Sequence, residues 1–380
     1  MPNFLLLVLL AAFPALSTDM YLPAIPALQG LWGISLAQAN LSLVVYFVTF
    51  SVFLLVHGPL SDRWGRKPVL YGGIVLFVAG SFLCAASGSI AMLVLARMVQ
   101  ATGAAAASAL SMALAKDMYE GPARQKLFAY MGVIIPLCPM LAPMLGGFML
   151  NHLSWRYIFI CQGCVALISL YGVLRLAEPE FEKTRGGLVA IAKRYLVLFR
   201  NRSYFIYALS FSLMAAGFYA FLAGSASIYI SGFGLTEQQY GLFFGFNALC
   251  LMVGSLLCSR LCVAYSSRFI LMWALSGMFL GGAGMYITNG ATLIQFMLSM
   301  GVVSFFLGLS RPLSVNMVLE FVKTDVGAAS SMLNFAFFLF GALSMEAISM
   351  DWGSKARMIG ILSMLGAIIP TLVLTLRRRS

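Results

Sequence analysis

The chain has 380 residues, of which 61% are hydrophobic and only 9% charged, against about 25% charged in an average soluble domain. A soluble protein of this length must cover its exterior with polar side chains. Too few are present, so the exterior faces lipid. A formal net charge of +12 would point to nucleic acid in a soluble domain, but here the charges sit in short segments between apolar runs, which excludes that reading.

A membrane-spanning helix needs about 20 apolar residues. Such runs predict helices over 4–30, 39–60, 69–87, 90–114, 128–149 and 155–176, then over 204–230, 239–259, 269–288, 293–319, 327–348 and 357–376. The first run resembles the core of a signal peptide. A signal peptide starts with basic residues, however, and the first Lys or Arg is Arg63, so the run is read as a retained span. The long polar stretch lies over 177–203. It divides the chain into an N-terminal six-helix bundle (1–176), a cytoplasmic connector (177–203) and a C-terminal six-helix bundle (204–380). The symmetry rests on spacing, since no residue-level repeat is evident.

Lys and Arg concentrate in cytoplasmic loops. With the N-terminus inside, 19 of the 24 fall on the inner side, including Arg63, Arg66, Lys67, Lys116 and Arg377 to Arg379. Arg156, Lys355 and Arg357 fall outside, and Arg97 and Arg311 lie within spans. Both termini and the connector are therefore expected in the cytoplasm, with an even number of spans. The seven cysteines lie in or at the edges of apolar runs. Cys161-x-x-Cys164 has no second pair, so packing is expected rather than a metal or a disulfide.

Between the second and third spans stands Gly58-Pro-Leu-Ser-Asp-Arg-Trp-Gly-Arg-Lys-Pro68. Gly58 and Gly65 suit a tight turn. Asp62 is expected at a helix N-terminus, where the macrodipole favours an anion, with Arg63, Arg66 and Lys67 free to pair with it or with lipid headgroups.

This segment resembles the signature loop of the major facilitator superfamily, G-x-L-A-D-R-x-G-R-K, with Ser61 in place of Ala. Ser17-Thr-Asp-Met-Tyr-Leu-Pro-Ala24 is similar to the first span of that family's Bcr/CflA-like drug-resistance branch. Arg97-Met-Val-Gln100, followed by Gly103, resembles the fourth-span motif R-x-x-Q-G-x-G. Ala142-Pro143-Met-Leu-Gly146-Gly147 resembles the fifth-span antiporter motif G-P-x-x-G-G. The clear motifs all lie in the first half. The resemblance implies an all-α membrane protein with about twelve helices in two six-helix bundles around a central cavity, and Arg97 at a position linked to proton coupling.

Ionisable side chains within spans are costly and functional by default. Asp19 stands in the first span just before Pro23 and Pro26, which should break the helix. A carboxylate moved between an apolar setting and one beside an arginine can bind and release a proton, so Asp19 and Arg97 are the expected coupling pair. The structural alternatives are an acid that caps the broken helix and an arginine that bonds neighbouring carbonyls. Arg311 is a third buried charge, expected either to recognise substrate or to pair with Glu320. Tyr21, Tyr46, Phe50, Gln100, Tyr219 and Phe243 are candidates to line the cavity, although helix packing explains such residues equally.

Together with the resemblance, these readings predict proton-driven antiport of drug-like or amphipathic small molecules by alternating access, from a bacterial cytoplasmic (inner) membrane, by a multi-pass monomer. Its expected partners are the substrate, protons and lipid. No cofactor or nucleic acid is expected. No phosphate-binding G-x-x-x-x-G-K-[ST] loop occurs, so the proton gradient supplies the energy. The alternatives are a dedicated exporter of one metabolite (a siderophore or amino-acid derivative) and a nutrient:proton symporter. No H-E-x-x-H or converging His-Asp-Glu set supports an intramembrane enzyme.

Overall fold

Apolar runs punctuated by Pro, Gly and hydroxyl caps fold as a series of helices. The computed structural model describes residues 3–179, 188–322 and 325–376. Glu180, Glu182, Lys183 and Arg185 of the connector, Lys323, and Arg377 to Arg379 lie outside the described residues. Helices α1 (Asn3–Asp19), α2 (Ala24–Trp32), α3 (Leu36–Trp64), α4 (Arg66–Ala85), α5 (Ile90–Met118), α6 (Gly121–His152) and α7 (Arg156–Leu174) come first. They are followed by α8 (Leu188–Arg200), α9 (Arg202–Ser212), α10 (Ala215–Ala226, continued by a π-helical turn over Ser227–Gly232), α11 (Glu237–Ala264), α12 (Ser267–Thr288), α13 (Leu293–Leu319), α14 (Val326–Ser349) and α15 (Lys355–Leu376). Among the described residues eleven helices are long and apolar enough to cross a membrane, with α9, α10 and the π-helical turn counted as one (Arg202–Gly232), or twelve when α1 and α2, bent by 44° at their break, also count as one span. Among the described residues there is no strand.

The chain splits into two compact units, Met1–Ile191 and Ala192–Ser380. In the first, α5 packs against α3, α4 and α1, and α4 also packs against α7. In the second, α11 packs against α13, α12 against α13 and α15, and α10 against α14. Lipid tails are as apolar as the core, so close packing and interhelical hydrogen bonds hold such bundles together. Side chains on the outer faces, such as Leu95 and Leu280, are 64% and 66% exposed, as lipid contact requires.

A repeat between the halves, not evident in the sequence, is present in the caps and anchors. Ser35 and Gln38 form a capping box at the start of α3, and Thr236 and Gln239 form one at the start of α11. Lys67 at the start of α4 donates to Leu174 O at 3.0 Å, and Arg268 at the start of α12 donates to Leu374 O. Corresponding helices thus begin and are pinned alike, while their apolar interiors differ.

Helices α3, α5 and α11 end at Trp64, Met118 and Ala264, beyond their apolar runs, and two boundaries differ more from the sequence expectation. The polar connector contains a helix, α8, because Tyr195 and Leu198 stand three residues apart and bury one face on the second unit's core. Leu196, Val197 and Phe199 remain exposed. Helix α6 begins seven residues before the expected span, where Pro122 in the first turn starts it and the basic Arg124 and Lys126 continue it past the apolar run.

Candidate functional site

Asp19 lies at the break in the first span. After it the Tyr21 amide turns back to Thr18 O at 3.1 Å, so the chain leaves α-helical register. Pro23, with no N–H to donate, then precedes α2. The break frees Ser17 O from its ordinary helical partner, the Tyr21 amide. Asp19 is 5% exposed and accepts from Thr18 Oγ1 at 3.0 Å. The same hydroxyl, with its single proton, also lies 2.9 Å from Pro14 O, which shares it.

Arg97 on α5 is fully buried and answers the freed carbonyl. Its Nη1 donates to Ser17 O at 2.9 Å and to Gln100 Oε1 at 2.6 Å. A cation at a helix C-terminus is favoured by the macrodipole. The guanidinium carbon lies 4.1 Å from the centre of the Tyr46 ring and 5.1 Å from that of Tyr21. Its Nε and Nη2 are buried without a hydrogen-bond acceptor. An unmade buried hydrogen bond costs about 1–3 kcal/mol. A desolvated cation–ring contact returns about 2 kcal/mol, so the two rings offset a cost of the same order.

The amides behind Arg97 were not among the sequence candidates, except Gln100. Gln100 Nε2 donates to Ser81 Oγ and to Gln162 Oε1, both at 2.9 Å, and Gln162 Nε2 donates to Leu16 O at 3.1 Å. Gln162 thereby fixes which end of the Gln100 amide faces the guanidinium. A glutamine in the middle of the apolar run Ile160-Cys161-Gln162-Gly163-Cys164 is the signal that could have found it. Tyr46 Oη is bonded to Ser17 Oγ, and Tyr21 Oη to Ser42 Oγ at 2.9 Å. Tyr21, Tyr46 and Gln100 therefore converge on one buried polar centre, and Phe50 stacks on the Tyr46 ring at 6.2 Å. Asp19 and Arg97 are not paired in this structure, since the ion pairs among the described residues lie elsewhere.

Gly146 explains how α6 holds this break. A Cβ there would lie 2.0 Å from Met20 O, so only glycine lets α6 lie against the broken backbone. Pro143 and Gly147 are buried beside it.

At one end of the first unit the signature loop is tied down by ion pairs, and Asp62 is not where the sequence suggested. It lies in the last turn of α3, not at a helix start, and Gly58 lies in the helix interior. The turn is made by Gly65 alone, at φ 112°, a conformation other residues rarely adopt. The anion at the start of α4 is Glu178, whose two oxygens accept from the Arg66 amide at 2.6 Å and the Lys67 amide at 2.8 Å. The Arg66 side chain binds Asp117 at 2.8 Å, Asp62 at 2.5 Å and Ser61 Oγ at 2.7 Å. Ser61, the departure from the family pattern, is thus a further acceptor for Arg66. Arg63 is exposed.

In the second unit, Arg311 donates to Asn334 Oδ1 at 3.1 Å, rather than pairing with Glu320. Its guanidinium lies 3.7 Å from the centre of the Phe337 ring, which Tyr219 meets edge-on at 5.8 Å. Phe243 belongs to a different cluster, stacked on Tyr229 at 5.7 Å.

Residues 7–345 match the family described as Major Facilitator Superfamily. The chain is 29% identical over 377 residues to the uncharacterized MFS-type transporter YdgK of Bacillus subtilis, covering 97% of this chain and 93% of that protein. It is 27% identical over 359 residues to a bicyclomycin resistance protein homolog of Haemophilus influenzae, covering 92% and 90%. Its fold is similar to that of a D-xylose-proton symporter, with a TM-score of 0.76 at 16% identity, over 97% of this chain and 96% of that one. The chain belongs to the Major Facilitator Superfamily, a family of multi-pass membrane transporters, and within it resembles the Bcr/CflA-like drug-resistance branch.

Proposed function

We propose that this protein exports drug-like, amphipathic small molecules in exchange for protons, by alternating access across a bacterial cytoplasmic membrane, with both termini inside. The observation that carries the reading is Asp19, a carboxylate 5% exposed at the break of a membrane span, with one neutral hydroxyl as its hydrogen-bond donor. Leaving a carboxylate charged and unpaired there costs several kcal/mol. A rearrangement that gave it a cation, such as Arg97 with two donors unused, would release its proton. That difference between two settings is what couples a proton to a conformational change. The export direction is supported by the antiporter-like Pro143, Gly146 and Gly147, and by a relative named for bicyclomycin resistance. The fold does not decide direction, since a D-xylose-proton symporter shares it. Arg66, held by Asp62, Asp117 and Ser61, acts in this reading as an inner latch.

Asp19→Asn mimics the protonated acid and provides the test. In proteoliposomes at matched protein density, with a proton gradient as sole energy source, the wild type should concentrate a dye against its gradient. Asp19→Asn should fold and bind the dye yet fail to concentrate it. Uphill transport by Asp19→Asn places the coupling site elsewhere. No gradient-driven transport by the wild type, for any of several unrelated dyes and antibiotics, ends the multidrug reading in favour of a dedicated exporter.

A further inference from the structure

The second unit contains a half-buried arginine, with one guanidinium nitrogen fully buried, that the coupling chemistry does not use. Arg311 stands on α13 just before Pro312, and its guanidinium is flanked by Asn334 and Phe337 of α14. Tyr219 of α10 packs on the far edge of the same ring. Nη2 has its acceptor in Asn334 Oδ1, whereas Nη1 is buried with none. Among the described residues the carboxylates in ion pairs are Asp62, Asp117 and Asp325, which pair with Arg66 and Arg194. None pairs with Arg311.

An arginine stays charged in any protein setting. It therefore cannot escape the cost of burial by losing a proton, as a carboxylate can by gaining one. One amide oxygen and one ring face leave its buried Nη1 without an acceptor, and an unmade buried hydrogen bond is costly, the more so on a charged group. A ligand oxygen would supply the missing acceptor. The open Nη1 presents a planar guanidinium N–H, the geometry that suits a carboxylate. With its Oδ1 turned to the guanidinium, Asn334 keeps Nδ2 as a donor for a second oxygen. Phe337 fixes the guanidinium plane by stacking, and the apolar wall with Tyr219 suits a hydrophobic body next to the anion.

We propose that Arg311, Asn334 and Phe337 form a subsite for the carboxylate, or an equivalent anionic group, of an amphipathic cargo. The proposal rests on the export reading and names the head group of what is exported.

The test uses two dyes of one skeleton, rhodamine B, which carries a free carboxylate, and its ethyl ester, which does not. Binding of each to the full-length protein in detergent is followed by fluorescence anisotropy, with no proton gradient present. The wild type should bind the acid about tenfold more tightly than the ester, the increment expected of one charge-assisted hydrogen bond. Arg311→Gln should abolish that preference while leaving ester affinity within about twofold, and Arg311→Lys should retain part of it. Asn334→Leu, which leaves the cation in place, should weaken the preference without abolishing it. Equal affinities in the wild type overturn the proposal, and need no variant to fold. So does an undiminished preference in Arg311→Gln. Because binding is read without a gradient, a wild type that prefers the acid but transports nothing uphill loses the export reading and keeps the subsite. Gradient-driven export without preference does the reverse.

Discussion

Gly146→Ala offers the most direct perturbation of the broken span. The added methyl would lie 2.0 Å from Met20 O, 2.9 Å from its carbonyl carbon and 3.2 Å from its Cα. Carbon-to-carbonyl-oxygen contacts normally start at about 3.3 Å, so α6 and the break must separate by about 1.3 Å. All three atoms are backbone, so no rotamer relieves the clash. Overpacking of this kind costs about 1–3 kcal/mol, which corresponds to a fall in the thermal midpoint of roughly 2–8 °C. The displaced segment carries Asp19 and the carbonyl that Arg97 holds, and a misplacement of about 1 Å at a reacting group costs up to about 100-fold in rate. Thermal unfolding in detergent, followed by tryptophan fluorescence, and gradient-driven efflux at matched protein density should therefore both fall. Gly58→Ala is the control. It is a motif glycine in the interior of α3 with nothing within 4 Å of its Cβ position, and alanine there should be neutral or stabilise by about 0.5–1 kcal/mol. If Gly146→Ala unfolds and transports like the wild type, α6 does not hold the break in the working protein.

The proposed latch ranks its own acids. Asp117 is 19% and Asp62 35% exposed at the side chain, and exposure weakens an ion pair. Asp117→Asn should therefore impair thermal stability and efflux more than Asp62→Asn, and the opposite ranking refutes the geometry. Glu178→Gln removes the anion from the start of α4, a contribution of about 1 kcal/mol. Amide exchange at Arg66 and Lys67 should quicken roughly fivefold, and unchanged exchange would show that Glu178 does not cap α4. Single-cysteine labelling with an impermeant reagent, in a chain stripped of native Cys, should leave the 177–203 connector unlabelled in intact cells. Strong labelling there inverts the proposed topology.

The spans were legible because each apolar run is long enough to cross a bilayer, and several begin at a hydroxyl cap, as at Ser35, Ser89, Thr236, Ser266 and Thr292. The break after Asp19 was legible from Pro23 and Pro26. What escaped had physical reasons. Gly58 and Gly65 look alike in sequence, yet only Gly65 takes a positive φ. Placing the turn at both moved Asp62 from a helix end to a helix start. Glu178 acts on Arg66 across more than a hundred residues, a separation that local pattern cannot bridge. Gln162 was passed over because attention to the cost of charge in hydrocarbon leaves out neutral amides. Yet a buried amide needs partners just as strictly, and it is Gln162 that orients Gln100 toward Arg97.

The two units share caps and anchors but differ in their buried chemistry, and this difference sharpens the proposed division of roles. In the first unit an acid and an arginine lie near one broken helix, so a proton can be exchanged for an ion pair without any ligand. In the second, Arg311 has no acid among its observed partners, and the proposed cargo carboxylate would complete it. Lesions in the two should therefore separate. Asp19→Asn should keep the preference for rhodamine B over its ester while losing uphill transport. Arg311→Gln should keep uphill transport of a neutral or cationic dye while losing the preference. The two readouts share no step, since one is equilibrium binding without a gradient and the other is accumulation driven by it. A single variant at either residue that removed both, while still folded by its thermal midpoint, would mean that proton and cargo compete for one site. The separation of roles between the units would then be wrong, even with both residues functional.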